Sequence, residues 1–251
     1  MHPSRRKLLA GAAALCTIGR VGAQSRRLAA LSLVGDKIEI VGARAEIGSR
    51  NNQNRRRWAD DAENTMDRYV LQAVERAVRA RDRDATVAML ALPGSALYNQ
   101  PDRAFDGRQV ALPGKVVDAL IAARASHLVL LTKLRNDVRV PLYDTTVGLG
   151  TVWGIGFYVD TDLRLTIRET GHTADGVLAP FVYVKMSLVD VQSGEVVREE
   201  LVREMRTYAT ASNPKVVSAW EVLSAEEKID ALHKLIDTSV GEATIKLMRA
   251  N

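Results

Sequence analysis

Two apolar runs separated by an amphipathic segment constrain the fold of this chain more than any other feature. The first run lies within residues 84–92 and ends at Pro93-Gly94, and the second covers residues 127–132. Between them, Pro113 suits a helix start, and apolar residues recur at three- and four-residue steps. The order strand, helix, strand predicts two parallel strands of one sheet joined by a crossover helix. Because both runs are almost continuously apolar, we expect sheet strands covered on both faces.

The region before this unit alternates between extended and helical patterns. Residues 28–34 and 38–47 are strand-like on either side of Gly35-Asp36, which predicts a β-hairpin. Residues 48–59 are polar and predict a loop. Asp60 or Asp61 can then cap a helix that runs to about Arg81, since its apolar positions follow a helical period.

The region after the unit contains the clearest hairpin of the chain. Residues 181–191 and 196–208 alternate on either side of a Gln-Ser-Gly-Glu turn. Asn213-Pro214 can start a short helix through Trp220. Ser224 and Glu227 form a capping box for a long last helix with one apolar face.

These elements predict an α/β (α+β) fold with a mixed sheet. The predicted order is ββαβαβ, an insertion at about 138–177, then ββα with a long carboxyl-terminal helix. Residues 24–251 are short enough for a single domain of this class.

The first 23 residues have the pattern of an export signal. Ser4, Arg5, Arg6 and Lys7 precede an apolar run at 8–18, and small residues before Ala23 suit cleavage after that position. The arginine pair fits a twin-arginine signal, and the ordinary Sec route stays open. The run is shorter than the roughly 20 residues that a membrane-crossing helix needs, and no second long apolar segment follows. We therefore expect a periplasmic protein without a transmembrane span after cleavage.

Removing the signal changes the charge argument. The chain has 35 basic and 30 acidic residues, and four basic residues leave with the signal, so the mature balance is 31 to 30. A nucleic-acid-binding protein would keep a basic excess, so we expect no nucleic-acid partner. The single cysteine, Cys16, is also removed. No histidines have metal-ligand spacing and no nucleotide-binding motif is present, so we expect neither metal nor cofactor.

A glycine-rich segment at 148–160 carries three of the scarce aromatic residues. One interpretation is an exposed loop that binds a partner, because exposed aromatic side chains concentrate binding energy. The other is a bulged strand pair whose aromatic side chains cover the end of the core. The candidate partner-binding residues are Gly148, Gly150, Trp153, Gly154, Gly156, Phe157 and Tyr158.

Two further groups have a functional and a structural interpretation. Arg50 and Arg55–Arg57 with Trp58 could meet phosphate-bearing head groups, although neighbouring acidic residues favour a solvated loop. Asp36 and His172, with Ser32, could form a hydrolytic site, but no Gly-x-Ser-x-Gly motif supports one.

Two strand patterns resemble a family of envelope proteins. An apolar helix leads into residues 127–131, and residues 188–196 have the sequence Leu-Val-Asp-Val-Gln-Ser-Gly-Glu-Val. Both are similar to the periplasmic α/β domains of the curli secretion lipoprotein, the penicillin-binding-protein activator lipoproteins and the amino-terminal domain of the Tol-Pal propeller protein. The lipobox of that family is absent. The resemblance implies a similar fold and carries no catalytic residue.

These observations favour a non-enzymatic periplasmic accessory or scaffold protein that binds an envelope protein. The alternatives are a hydrolase or transferase that uses Asp36 and His172, and a carrier with an apolar pocket of roughly 300 to 1,000 Å³. The sequence does not determine the partner or the oligomeric state.

Overall fold

A mixed sheet packed against three helices makes up the part of the chain that the structure describes. The computed structural model describes residues 27–43, 54–61, 63–166, 173–209 and 218–249. The helices are α1 (Thr65–Arg81), α2 (Gly114–Ala122) and α3 (Ala225–Leu247). The strands are β1 (Arg27–Leu33), β2 (Lys37–Gly42), β3 (Arg55–Asp60), β4 (Thr86–Leu90), β5 (Phe105–Asp106), β6 (Gln109–Val110), β7 (His127–Lys133), β8 (Arg135–Asp137), β9 (Val140–Pro141), β10 (Thr146–Val147), β11 (Thr151–Thr166), β12 (Thr173–Asp190), β13 (Val196–Met205) and β14 (Tyr208–Ala209). The predicted α/β class, mixed sheet and long carboxyl-terminal helix are confirmed.

The main sheet has the order β3-β2-β11-β12-β7-β1-β4, with β13 and β14 on β12 and β8 on β11. On one side of β12, residues up to Tyr183 pair with β11, and residues from Val184 onward pair with β7. Strands β7 and β11 thus occupy the same position of the sheet, one after the other. Residues 134–150 connect these two strands, and β8 within this segment pairs with the start of β11.

The predicted strand–helix–strand unit is β4, α2 and β7. Both strands run parallel to β1, so they are parallel to each other as expected, but β1 lies between them. Strand β7 is buried along nearly its whole length. Strand β4 is the edge of the sheet and keeps exposed residues, so only β7 is covered on both faces.

The predicted hairpin of the first two strands is wrong. Strand β1 pairs with β4 and β7, whereas β2 pairs with β3 and β11, and both run in the same direction. The backbone N–H groups of Val34 and Gly35 donate to the carboxylate of Asp67 at the start of α1, 3.1 and 3.0 Å away. These bonds fix the backbone just after β1. The chain therefore continues through Gly35-Asp36 into β2 in the same direction, and no hairpin forms.

The polar segment predicted as a loop contains strand β3. Its residues are mostly exposed, so no apolar alternation marks it. It pairs antiparallel with β2, and Arg56 forms an ion pair with the buried Glu39 of that strand. Backbone pairing and one ion pair therefore form a strand that apolar periodicity could not indicate.

The second half of the sheet agrees with the sequence where the pattern is clear. Strands β12 and β13 form the predicted hairpin, and Ser224 and Glu227 form the capping box of α3. The predicted insertion supplies β11, an interior strand between β2 and β12. Of the predicted helix that ends at Trp220, residues 213–217 lie outside the described ranges, and Ala219–Val222 is a 3₁₀ helix.

The core lies on both faces of the sheet. One apolar cluster joins α1 and α3 to alternate residues of the strands, such as Val129 and Leu131. On the opposite face, α2 covers Leu128 and Leu130 in a second cluster, and the 134–150 segment covers a third around Tyr158. Residues 1–23, with the predicted export signal, lie outside the described ranges.

Candidate binding cleft

A cleft of about 730 Å³ opens where the chain leaves β4 and β7. Most of its lining comes from two segments, which we call its walls: residues 99–103, which come after β4 in the chain, and residues 132–135 at the end of β7. Trp153 and Lys185 complete the lining. Ligands of α/β sheets commonly bind beyond the carboxyl ends of parallel strands, so this is the place in the fold where a site is expected.

Lys133, the last residue of β7, is buried at the cleft although it carries a charge. Its Nζ forms an ion pair with Asp36, which follows β1. The same atom lies 4.9 Å from the centroid of the Trp153 ring. Gly154 has a φ of +76°, and a Cβ there would lie 3.0 Å from Lys133 Cγ. The absence of a side chain at Gly154 therefore leaves room for the Lys133 side chain.

Glu39, fully buried in β2, positions Trp153. Its Oε2 accepts the backbone N–H of Trp153 at 2.7 Å, and its Oε1 pairs with Arg56. Arg56 also donates to the carbonyl oxygen of Thr151 at 2.7 Å. Burial raises the pKa of Glu39, while Arg56 and the Trp153 N–H act in the opposite direction. This network ties the start of β11 to the β2–β3 pair.

The Trp153 ring lies among cations and a second tryptophan. The Trp58 ring meets it edge-on with centroids 6.0 Å apart, and Trp58 is 41% exposed. The Arg135 guanidinium lies 5.5 Å from the Trp153 centroid, within the range of a cation–π contact. The cleft is therefore bordered by an aromatic pair and positive charge.

A buried carboxylate, Asp67 of α1, lies at the same end of β1. It accepts the hydroxyls of Ser32 and Tyr98, each at 2.5 Å, besides the two backbone N–H groups named above. Burial raises its pKa, and these four hydrogen bonds act in the opposite direction. Burial also raises the pKa of Tyr98, and the nearby Asp67 carboxyl raises it further. This group fixes the junction of β1, α1 and the first cleft wall.

The structure separates the seven candidate partner-binding residues. Trp153 lines the cleft. Phe157 and Tyr158 are buried in the apolar clusters on opposite faces of the sheet. Gly154 and Gly156 are buried in β11, whereas Gly148 and Gly150 precede that strand. Partner binding stays a prediction for this segment, and its buried aromatic side chains fit the interpretation in which they cover the core.

The residues proposed for catalysis are engaged elsewhere or lie outside the described ranges. Asp36 pairs with Lys133, and the Ser32 hydroxyl donates to Asp67. His172 lies outside the described ranges. Within those ranges, no group of three His, Cys, Asp or Glu residues could hold a metal ion.

The cleft is also unsuited to an apolar cargo, because charged and amide side chains predominate in its lining. A second pocket, of about 330 Å³, lies beside Leu28, Val78 and Met248 and includes Arg81 and Asp82. The carrier alternative stays a prediction.

Sequence reasoning missed Glu39, Lys133 and Asp67. The first two carried a usable signal, since Glu39 interrupts an apolar strand and Lys133 ends one. A charge in such a position implies a buried partner. The cations of the cleft come from three separate segments, so no local pattern could have brought them together.

Among the described residues, no helix is long and apolar enough to cross a membrane. No family model matches this chain, and no curated protein matches it. Solved structures give distant likenesses. The PelC dodecamer from Paraburkholderia phytofirmans is 11% identical, with 90% of each chain covered and a TM-score of 0.35. A putative neuraminyllactose-binding hemagglutinin homologue from Helicobacter pylori is 9% identical, with 90% of this chain and 87% of that chain covered and a TM-score of 0.40. Likeness at this level does not identify a ligand or an activity.

Proposed function

We propose that this chain is an exported, non-catalytic accessory protein that binds an envelope protein at the Trp153 cleft. The observation that carries the proposal is the open cleft, which presents Trp153, exposed amides and several cations at the carboxyl ends of parallel strands. Tryptophan and arginine are the residues most enriched among the strong contributors to protein interfaces.

The state of the carboxylates favours binding over hydrolysis. A general base must reach the substrate's proton. Asp36, Glu39 and Asp67 are each engaged by partners within the protein. Such pairs hold the cleft walls in place, and that is the role expected of them in a binding site.

Export is tested by fractionating cells and sequencing the amino terminus of the protein. We expect a periplasmic form that begins at Gln24. Replacing Arg5 and Arg6 together by lysine distinguishes the routes, because the twin-arginine route needs the arginine pair. Loss of export identifies that route, whereas continued export identifies Sec. Full-length protein confined to the cytoplasm would contradict the proposal.

Partner binding is tested by photo-cross-linking in intact cells. A photoreactive residue at Gln100, exposed on the first cleft wall, should capture one envelope protein that mass spectrometry identifies. The same probe at Arg83, exposed just before β4 at the opposite end of that strand, is the matched control. We expect Trp153→Ala to abolish capture at Gln100. Equal capture from both positions, or capture that survives Trp153→Ala in a folded variant, would contradict a cleft site.

A further inference from the structure

We infer that the ligand of the cleft is an extended acidic segment of the partner protein, whose carboxylates are received by Arg103 and Arg135. This inference rests on the proposed function and specifies the chemistry of the same site. It starts from the charge of the cleft lining, which contains four cationic side chains and one carboxylate, Asp102.

The four cations are not equally available. Lys133 is buried and paired with Asp36. The Nζ of Lys185 lies 3.7 Å from the Phe105 ring centroid and 3.3 Å from a carboxylate oxygen of Glu199. Arg103 and Arg135 are exposed, and no carboxylate of the described residues forms an ion pair with either. Neither guanidinium is therefore neutralised by an ion pair, and that of Arg135 is held near the Trp153 ring, so both can receive a ligand's charge.

The donors of the lining match carboxylates arranged along a chain. Each guanidinium offers a planar fork that binds a carboxylate through two parallel hydrogen bonds. Asn99 and Gln100 are exposed beside Arg103 and add amide donors on the same wall. The donors come from two separate segments of the chain, residues 99–103 and Arg135, so a segment with several carboxylates can use more of them than one small anion can. A volume of about 730 Å³ has room for such a segment.

A lipid phosphate is the competing source of negative charge, and the apolar part of the lining argues against it. Proteins that lie on membranes insert exposed apolar side chains beside their cationic residues. The apolar members of the lining are Pro101, Leu134 and Trp153, and all three are half-buried. The neighbouring Trp58 is 41% exposed, but it lies outside the lining. The site is a recess between two polar walls, which suits a protein segment better than a bilayer surface.

The test is calorimetric titration of the purified protein with a blocked hexapeptide of glutamate and aspartate. Its amide counterpart, made of glutamine and asparagine, is the matched probe. We expect the acidic peptide alone to bind, with affinity that falls as salt is added. The double variant Arg103→Gln/Arg135→Gln should bind about tenfold more weakly or worse, because both charge-assisted pairs are lost. Arg83→Gln, an exposed arginine away from the cleft, should bind as the wild type does.

Three results would overturn the inference. The first is equal affinity for the acidic and amide peptides, and the second is acidic-peptide binding that the double variant leaves unchanged. The third is stronger arginine-dependent binding to inorganic phosphate, or to vesicles of anionic phospholipid, than to the acidic peptide. If cross-linking at Gln100 still captures a partner, any of these overturns only the acidic-ligand inference. Failure of both experiments removes the proposed function as well.

Discussion

Three buried charged residues around the cleft are stabilised in different ways. Glu39 has Arg56 and a backbone N–H, and Lys133 has Asp36. The Asp67 carboxylate is held instead by two hydroxyls and two backbone N–H groups. A buried charge without its partners is strongly destabilising, so each of these arrangements fixes the local backbone. Asp67 is the informative one for pH, because among the described residues its carboxyl has hydrogen-bond donors and no ion pair.

We expect stability to depend on pH through Asp67. Burial raises its folded pKa above the ordinary 3.8, so the folded protein binds this proton more tightly than the unfolded chain does. The stability that this bound proton contributes is fully present below pH 3.8 and is lost as the pH rises through the raised pKa of Asp67. In Asp67→Asn, the amide oxygen can keep the backbone bonds but does not titrate. Urea unfolding should therefore show the free energy of unfolding of the wild type falling relative to Asp67→Asn as pH rises.

The control for this experiment is Asp106→Asn, which changes an exposed carboxyl of β5. Its unfolding free energy should follow that of the wild type across the pH range. If the unfolding free energies of the wild type and Asp67→Asn changed with pH in parallel, the pKa of Asp67 would be the same in the folded and the unfolded chain, which would contradict this prediction.

At the scale of elements, the close approach of β11 to β2 determines where Trp153 lies. Gly156 faces Glu39 across this parallel pair, and a Cβ at Gly156 would lie 1.9 Å from the Glu39 carbonyl oxygen. That oxygen belongs to the backbone and cannot rotate away. The two strands would have to separate to admit any side chain.

We therefore expect Gly156→Ala to destabilise the protein by about 3 kcal/mol or more, at the upper end of the overpacking range. Gly241→Ala is the matched control, because its Cβ meets nothing within 4 Å inside α3. It should stabilise the protein by about 0.5–1 kcal/mol through helix propensity. Chemical denaturation of both variants measures these effects. A Gly156→Ala protein as stable as the wild type would show that β11 and β2 tolerate separation.

Local patterns predicted the elements whose own residues show a period. Helices α1 and α3, strand β7 and the β12–β13 hairpin all match the sequence in type and place. Strand β3 shows no apolar period because its residues are mostly exposed, and the first hairpin prediction is wrong because Asp67, far along the chain, holds the turn. The cleft itself could not be predicted beyond Trp153, since distant segments meet there only after the sheet has formed.

The whole molecule depends on one strand that belongs to both halves of the sheet. Strand β12 pairs with β11 along its first part and with β7 along its second, and with β13 on its other side. A shared strand cannot leave one half without disrupting the other. We expect the two halves to unfold together.

Cooperative unfolding is tested by following two signals through a urea titration. Tryptophan fluorescence reports on Trp58, Trp153 and Trp220, whereas far-ultraviolet circular dichroism reports on all helices and strands. The two transitions should coincide, as they do for a single cooperative unit. Transitions with separate midpoints would divide the chain into two independently stable parts.

The shared position of β7 and β11 has a consequence for how this protein can change. Residues 134–150 connect β7 to β11, and the pairing of these two strands with β12 does not depend on the length of the segment, although β8 within it pairs with the start of β11. Val138 and Val140 of this segment are buried in the core, whereas its exposed residues 143–146 are of the kind that tolerates insertions and deletions. Relatives of this chain could therefore exchange this segment for longer or shorter versions while the scaffold stays constant. Arg135 would be exchanged with it, and the choice of partner could diversify without a new fold.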